Sequence, residues 1–125
     1  LLSYYASLDF RGTISIGDSS DPERAAKTRH ILHAYQGKIH VIYGEYPDMK
    51  NDAQCIEKML ETVNTPYAVM LPDDDDILVL GSLDKCVRFL DCNPDYIAAH
   101  GQAILFSTDQ GNPFGRIGVI SRCKP

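Results

Sequence analysis

Residues 67–76 have the sequence YAVMLPDDDD, in which five uncharged residues precede Pro72 and four aspartates. An uninterrupted apolar run of this length is typical of a strand that is covered on both faces of a parallel sheet. In such sheets ligands bind beyond the carboxyl ends of the strands, which is where the aspartates lie. The segment therefore predicts an α/β protein with an acidic site at the end of a central strand.

Segments with strand and helix periodicity alternate around this run. Further strands are predicted at residues 13–17, 39–43 and 96–106. Helices are predicted at residues 1–8, 52–63, 82–92 and from the polar segment 18–23 to residue 35. This alternation predicts one domain over residues 1–125, in which helices flank a mostly parallel sheet. Residues 107–125 are expected to form a loop-rich tail with a short strand at 118–121.

Apolar side chains at helical spacing predict the buried faces of two helices. The predicted core positions are Ile56, Met59, Leu60 and Val63 in one helix and Leu83, Cys86, Val87 and Leu90 in the other. Two starts are open for the helix after residue 18: a capping box of Ser20 with Glu23, or an Asp21 cap followed by Pro22. Ser82 is the expected cap of the helix at 82–92.

Charge and composition argue against several classes of protein. The net charge is -5, from 12 basic and 17 acidic residues without a basic cluster, so a nucleic-acid-binding surface is not expected. No apolar run reaches the roughly 20 residues that a membrane-spanning helix needs. The four cysteines and four histidines lack metal-ligand spacing, so we expect reduced thiols and a cytoplasmic protein.

Four consecutive carboxylates, those of Asp73, Asp74, Asp75 and Asp76, form the strongest chemical feature of the chain. Adjacent carboxylates repel one another unless a cation compensates their charge. Mg²⁺ and Mn²⁺ take carboxylate oxygens as ligands and keep positions open for phosphate oxygens. An Asp-x-Asp pair here could therefore hold a metal that bridges to a diphosphate, and a solvated acidic turn is the alternative.

Asp18 is the second candidate site residue, because it follows the strand at 13–17 and precedes a helix. A carboxylate at that place can accept hydrogen bonds from a base or a ribose. Turn and capping chemistry, to which Ser19, Ser20 and Asp21 also contribute, is the alternative explanation. Both acidic segments thus lie at the carboxyl ends of predicted strands.

Taken in order, the two acidic segments resemble family 2 glycosyltransferases of the GT-A fold. In that family a strand that ends in an acidic segment like 18–21 is followed, after a second strand and a helix, by a segment like 67–76. Residues 77–90, an apolar pair followed by a helix, are also similar, as is the sequence NPDY at 93–96 with the predicted strand after it. The resemblance covers roughly residues 1–106.

The resemblance implies a Rossmann-like GT-A fold, incomplete at both ends, that binds a nucleotide-sugar. It also implies transfer of a sugar from a UDP-sugar donor to a glycan or lipid acceptor, with Mn²⁺ or Mg²⁺ as cofactor, in the cytoplasm or at the inner membrane face. Asp18, Asp73 and Asp74 match the family's nucleotide-sugar contacts, and Asp75 and Asp76 match its metal ligands. Two registers stay open, Asp73 with Asp75 or Asp74 with Asp76.

The chain departs from the family's pattern at three places. A first strand with a [PT]-x-[YF]-N segment does not precede Leu1, and the sequence CIEKM at 55–59 stands where Ala-x-Asn-x-Gly is usual. The catalytic base is expected beyond Pro125. Without that first strand, an exposed sheet edge could pair with a second copy of the chain to form a homodimer.

Two other functions stay open. One is a nucleotide- or metal-binding α/β module without catalysis. The other is a haloacid-dehalogenase-type phosphotransferase, because Asp73, Asp75 and the Ile77-Leu78 pair approach that family's D-x-D-x-[TV]-[LI] segment. In that family the segment normally lies on the first strand, whereas here several strand and helix segments precede it.

Overall fold

The computed structural model describes residues 1–49, 51–71 and 77–101, together with the backbone of two strands at 104–107 and 116–119. The chain has a mixed α/β structure and divides into two compact units, Leu1–Ile77 and Leu78–Pro125. None of the helices in these described segments is long and apolar enough to cross a membrane.

A strand–helix–strand arrangement forms the centre of the first unit. Its elements in chain order are α1 (Leu2–Ser7), β1 (Thr13–Asp18), α2 (Pro22–His33), β2 (His40–Glu45) and α3 (Asp52–Leu60). β1 and β2 pair in parallel, from Thr13 with His40 to Asp18 with Glu45. This small parallel sheet flanked by helices confirms the predicted α/β class, and it puts the carboxyl ends of both strands at one edge.

The start of α2 is set by Asp21, which is the second of the two starts that the sequence leaves open. Its Oδ1 accepts hydrogen bonds from the backbone amides of Glu23 and Arg24, both at 3.0 Å. Pro22 occupies the first turn, where a helix needs no N–H donor. These contacts fix the end of the polar segment between β1 and α2 at the first turn of the helix.

Replacing Asp21 with alanine is expected to lower the free energy of unfolding by about 1 kcal/mol, because two amides of the first turn lose their side-chain acceptor. Asp21→Ser keeps an oxygen at the cap and should differ from the wild type by only about 0.3 kcal/mol. Urea denaturation followed by circular dichroism measures both variants. Equal losses in the two variants would contradict the capping role.

The core of the first unit is small. Among the described residues the buried side chains are Tyr5, Ala25, Ile39 and Cys55, all of which belong to this unit. The ring of Tyr5 packs against that of Phe10, with centroids 5.3 Å apart, and so anchors α1 to the turn that precedes β1. α3 packs against β1, where Cys55 enters the core.

The predicted core face of α3 is confirmed over its first part and wrong over its second. Ile56 and Met59 are half-buried. Leu60 and Val63 are instead 56% and 37% exposed, and the helix ends at Leu60 rather than Val63. The part of this sheet that the structure describes has two strands and is narrow, so it covers the beginning of the apolar face of α3 and not the whole of it.

Residues 67–71, predicted as a central strand, do not form one. The segment has no regular secondary structure, and Val69 and Met70 are 56% and 60% exposed. An extended segment becomes a strand when its backbone amides and carbonyls pair with those of a neighbour. Among the described strands β1 and β2 pair only with each other, so none of them pairs with residues 67–71.

The second unit contains α4 (Leu80–Cys92) and two antiparallel strands, β3 (Ile104–Ser107) and β4 (Arg116–Val119). α4 begins after Val79, and the predicted Ser82 cap is wrong, because the Ser82 amide already donates to the Val79 carbonyl at 2.8 Å within the first turn. The predicted inward face of α4 is half-buried and consists of Leu83, Cys86, Val87 and Leu90.

The long strand predicted at residues 96–106 is wrong over its first part. Residues 96–101 have no strand structure, and Ile97 is fully exposed. Of the described residues in this segment, Ile104 is the first that pairs with β4, opposite Val119. The short strand predicted at 118–121 overlaps β4 at residues 118–119, and its remainder lies outside the described residues.

Candidate functional site

Asp18 lies at the carboxyl end of β1, as the sequence predicts, and its Cα partner in the sheet is Glu45, the last residue of β2. The parallel register thus puts two acidic residues side by side at the edge where α/β proteins bind ligands. The Asp18 carbonyl accepts a hydrogen bond from the Tyr46 amide at 2.7 Å, which holds the chain immediately beyond β2 against β1.

Both oxygens of the Asp18 carboxylate accept hydrogen bonds. Oδ1 accepts from the Ser20 amide at 2.9 Å and from the Ser20 hydroxyl. Oδ2 accepts from the phenol of Tyr43 on the neighbouring strand, at 2.7 Å. Because donors hold the carboxylate from two sides, its orientation is fixed while it stays half-buried.

These contacts keep Asp18 ionised. Partial burial raises the pKa of its carboxyl, but the hydrogen bonds from Ser20 and Tyr43 outweigh burial and lower the pKa to about 2. Burial and the hydrogen bond to Asp18 raise the pKa of Tyr43 to about 12, so the phenol keeps its proton at neutral pH. The pair is therefore a negatively charged acceptor held by a neutral donor.

An ion pair lies at the same edge of the sheet. Arg29 of α2 pairs with Glu45, and the two side chains are 51% and 39% exposed. The hydrogen bond to Glu45 raises the pKa of Arg29, and the negative charge of Asp18 adds a smaller effect in the same direction. The guanidinium thus compensates Glu45, whereas the partners of Asp18 among the described residues are neutral hydrogen-bond donors.

Gly17 lets α3 come close to β1 directly before Asp18. A Cβ atom at position 17 would lie 2.5 Å from Cys55 Sγ and still closer to Met59 Sδ. Burial raises the pKa of the Cys55 thiol, with smaller contributions from the charges of Asp52 and Asp18. The thiol therefore stays protonated at neutral pH and packs beneath the site rather than acting as a nucleophile.

The predicted nucleotide-sugar contacts Asp73 and Asp74 and the predicted metal ligands Asp75 and Asp76 lie outside the described residues. Within the described ranges, no three His, Cys, Asp or Glu side chains come together in a group that could hold a metal ion. Asp18 is thus the predicted site residue whose surroundings the structure describes.

Sequence analysis missed Tyr43, Glu45 and Arg29 as parts of this edge. For Tyr43 and Glu45 the sequence indicates only the neighbourhood, because Tyr43 ends the strand predicted at 39–43 and the carboxyl ends of parallel strands lie at one edge of a sheet. No pattern in the sequence marks Arg29, since its place depends on the rotation of α2 about its own axis.

Comparison of the chain with protein families, curated proteins and solved structures finds no match. The fold and the site define the chain as a mixed α/β protein with an ionised aspartate at the carboxyl end of a parallel strand.

Proposed function

We propose that the chain is the donor-nucleotide portion of a GT-A glycosyltransferase of the family 2 kind. Its donor would be a UDP-sugar, and the acceptor of the sugar a glycan or a lipid. The observation that carries the proposal is the position of Asp18, ionised and oriented at the carboxyl end of β1 in a β1–α2–β2 unit. This is the place at which an α/β protein of the proposed type would contact a nucleotide.

The chemistry of Asp18 suits the nucleoside half of such a donor. A carboxylate that stays negative at neutral pH accepts hydrogen bonds from neutral donors, such as ribose hydroxyls or a base N–H. The same charge repels phosphate groups, so the diphosphate of a nucleotide-sugar needs a cation elsewhere. The proposal assigns that cation to the aspartates at 73–76.

The donor set of Asp73, Asp74, Asp75 and Asp76 fits Mg²⁺ or Mn²⁺, since both ions prefer carboxylate oxygens. When bound, the ion would supply Lewis-acid stabilisation of the departing nucleoside diphosphate. In the proposal, the chain's own residues bind and orient the donor: Asp18 the nucleoside and the aspartate run the diphosphate.

Isothermal calorimetry of the chain with UDP, in the presence and absence of Mn²⁺, tests this proposal. We expect binding that requires Mn²⁺ and that is weakened at least roughly tenfold by Asp75→Ala or by Asp76→Ala, because a divalent ion loses a charged ligand. The more sensitive position identifies the register of the Asp-x-Asp pair. Asp84→Ala, which removes an exposed carboxylate from α4, is the matched control and should bind UDP like the wild type.

Failure of the wild-type chain to bind UDP under both conditions would contradict the proposal. So would binding that all of the variants retain. Binding of UDP without transfer from a UDP-sugar to any acceptor would favour a non-catalytic nucleotide-binding module. Hydrolysis of a generic phosphomonoester would instead favour the dehalogenase-type phosphotransferase.

A further inference from the structure

We infer that Tyr43 is a positioning residue of the proposed nucleotide site, whose phenol orients the Asp18 carboxylate toward the neutral hydrogen-bond donors of the nucleoside. The inference rests on the proposed function and deepens it. It assigns a role to a side chain of the second strand, where no sequence motif marks one.

The sheet register brings the two side chains together. The Cα partner of Tyr43 is Ile16, so Tyr43 lies two positions away from the partner of Asp18 along β2. A diagonal neighbour at that offset is within reach of an aromatic side chain. The Tyr43 hydroxyl accordingly meets Asp18 Oδ2 at 2.7 Å. The contact depends on parallel pairing in this register and could not form if β2 were shifted by one residue.

The two oxygens of Asp18 have different partners, and this defines what Tyr43 adds. Ser20 holds Oδ1 from the turn that follows β1, and Tyr43 holds Oδ2 from the neighbouring strand. Loss of the phenol would remove the donor at Oδ2 and open that oxygen to water, leaving the carboxylate held through Oδ1 by Ser20, with Thr28 as a weaker contributor. A hydrogen-bond donor of the nucleoside would then meet a carboxylate whose orientation is no longer fixed before binding. The affinity for the nucleotide would therefore fall.

Tyr43 is itself suited to this role. It is half-buried, and at neutral pH it keeps the proton that it donates to Asp18. A phenol also adds no charge to the edge of the sheet, whereas a lysine or an arginine at the same place would form an ion pair with Asp18. The arrangement therefore leaves the negative charge of Asp18 available to a neutral donor of the ligand.

A double-mutant cycle on UDP affinity tests the inference. Calorimetry with UDP and Mn²⁺ is applied to the full chain, to Tyr43→Phe, to Asp18→Asn and to the double variant. Tyr43→Phe is expected to weaken UDP binding about five- to tenfold, because the Asp18 carboxylate is then no longer oriented before the nucleotide binds. In the Asp18→Asn background the same change should weaken binding less than about twofold, because the phenol acts through the carboxylate.

Tyr35→Phe removes a hydroxyl between α2 and β2 and is the matched control, with unchanged affinity expected. Circular dichroism verifies that each variant is folded. Wild-type affinity in Tyr43→Phe, or effects of Asp18→Asn and Tyr43→Phe that simply add, would overturn the inference and leave the proposed function standing. Absence of UDP binding by the wild-type chain would overturn both together.

Discussion

Replacing Gly17 with alanine is expected to lower the free energy of unfolding by about 2 kcal/mol, because the added methyl group overpacks the contact between β1 and α3. The new Cβ would lie 2.5 Å from Cys55 Sγ and closer still to Met59 Sδ. Met59 can move at the far end of its side chain, but Cys55 is only 7% exposed and short. Relief of the clash therefore requires a shift of α3. Urea denaturation measures the resulting change in the free energy of unfolding.

Two further measurements separate crowding from the general effect of replacing a glycine. In a Cys55→Ala background the Gly17→Ala change should cost about 1 kcal/mol less, because the sulfur that it meets is gone. Gly81→Ala is the matched control in α4, where a Cβ meets no atom within 4 Å. That variant should be neutral or up to about 1 kcal/mol more stable, since alanine favours the helix. Equal destabilisation at positions 17 and 81 would contradict the packing explanation.

Replacing Asp18 with alanine is expected to lower the free energy of unfolding by about 2 kcal/mol at pH 7, because the donors on Ser20 and Tyr43 lose a charged acceptor. Urea denaturation at pH 7 measures the loss. Asp84→Ala removes an exposed carboxylate from α4 and should change stability by less than about 0.5 kcal/mol. If Asp18→Ala lowered the free energy of unfolding as little as Asp84→Ala does, the result would show that water replaces these hydrogen bonds.

The effect of Asp18→Ala should also depend on pH. The pKa of the carboxyl is lowered from 3.8 to about 2 in the folded protein, so in acid the unfolded chain binds the proton more readily. The resulting stabilisation is fully present above about pH 4 and is lost as the pH falls toward 2. Its size is about 1 kcal/mol, because water reaches the half-buried carboxylate and screens the interaction. The difference between wild type and variant should therefore narrow below pH 4, and a constant difference would contradict this.

The sequence predicts those parts of the fold that local chemistry determines. The sequence limits the start of α2 to two neighbouring caps, Ser20 or Asp21, of which the structure has Asp21, and β1 follows from its β-branched residues. The strand expected at 67–71 depends instead on a neighbour distant along the chain, and hydrophobicity alone does not provide one. The second part of the predicted α3 face is exposed for a similar reason, since the sequence of the helix does not determine the width of the sheet against which it packs.

The candidate site likewise combines one residue that the sequence predicts with partners that it does not. Asp18 can be found from the sequence because it directly follows a strand and precedes a helix. Its partner Tyr43 is 25 residues away, and their contact requires the relative register of two strands, which a single strand does not encode. The Arg29–Glu45 pair requires in addition the orientation of α2 over the sheet.

The pairing of β1 with β2 also bears on how the first unit forms. The paired residues at both ends of this ladder are 27 positions apart along the chain. These pairs are Thr13 with His40 at one end and Asp18 with Glu45 at the other. An antiparallel ladder can grow outward from its turn, and the pairs of β3 and β4 do draw closer along the chain toward Ser107 with Arg116. The parallel ladder has no such short first pair, so every contact in it requires closure of the same long loop. Formation of α2 shortens that loop, so we expect the helix and the sheet to form together.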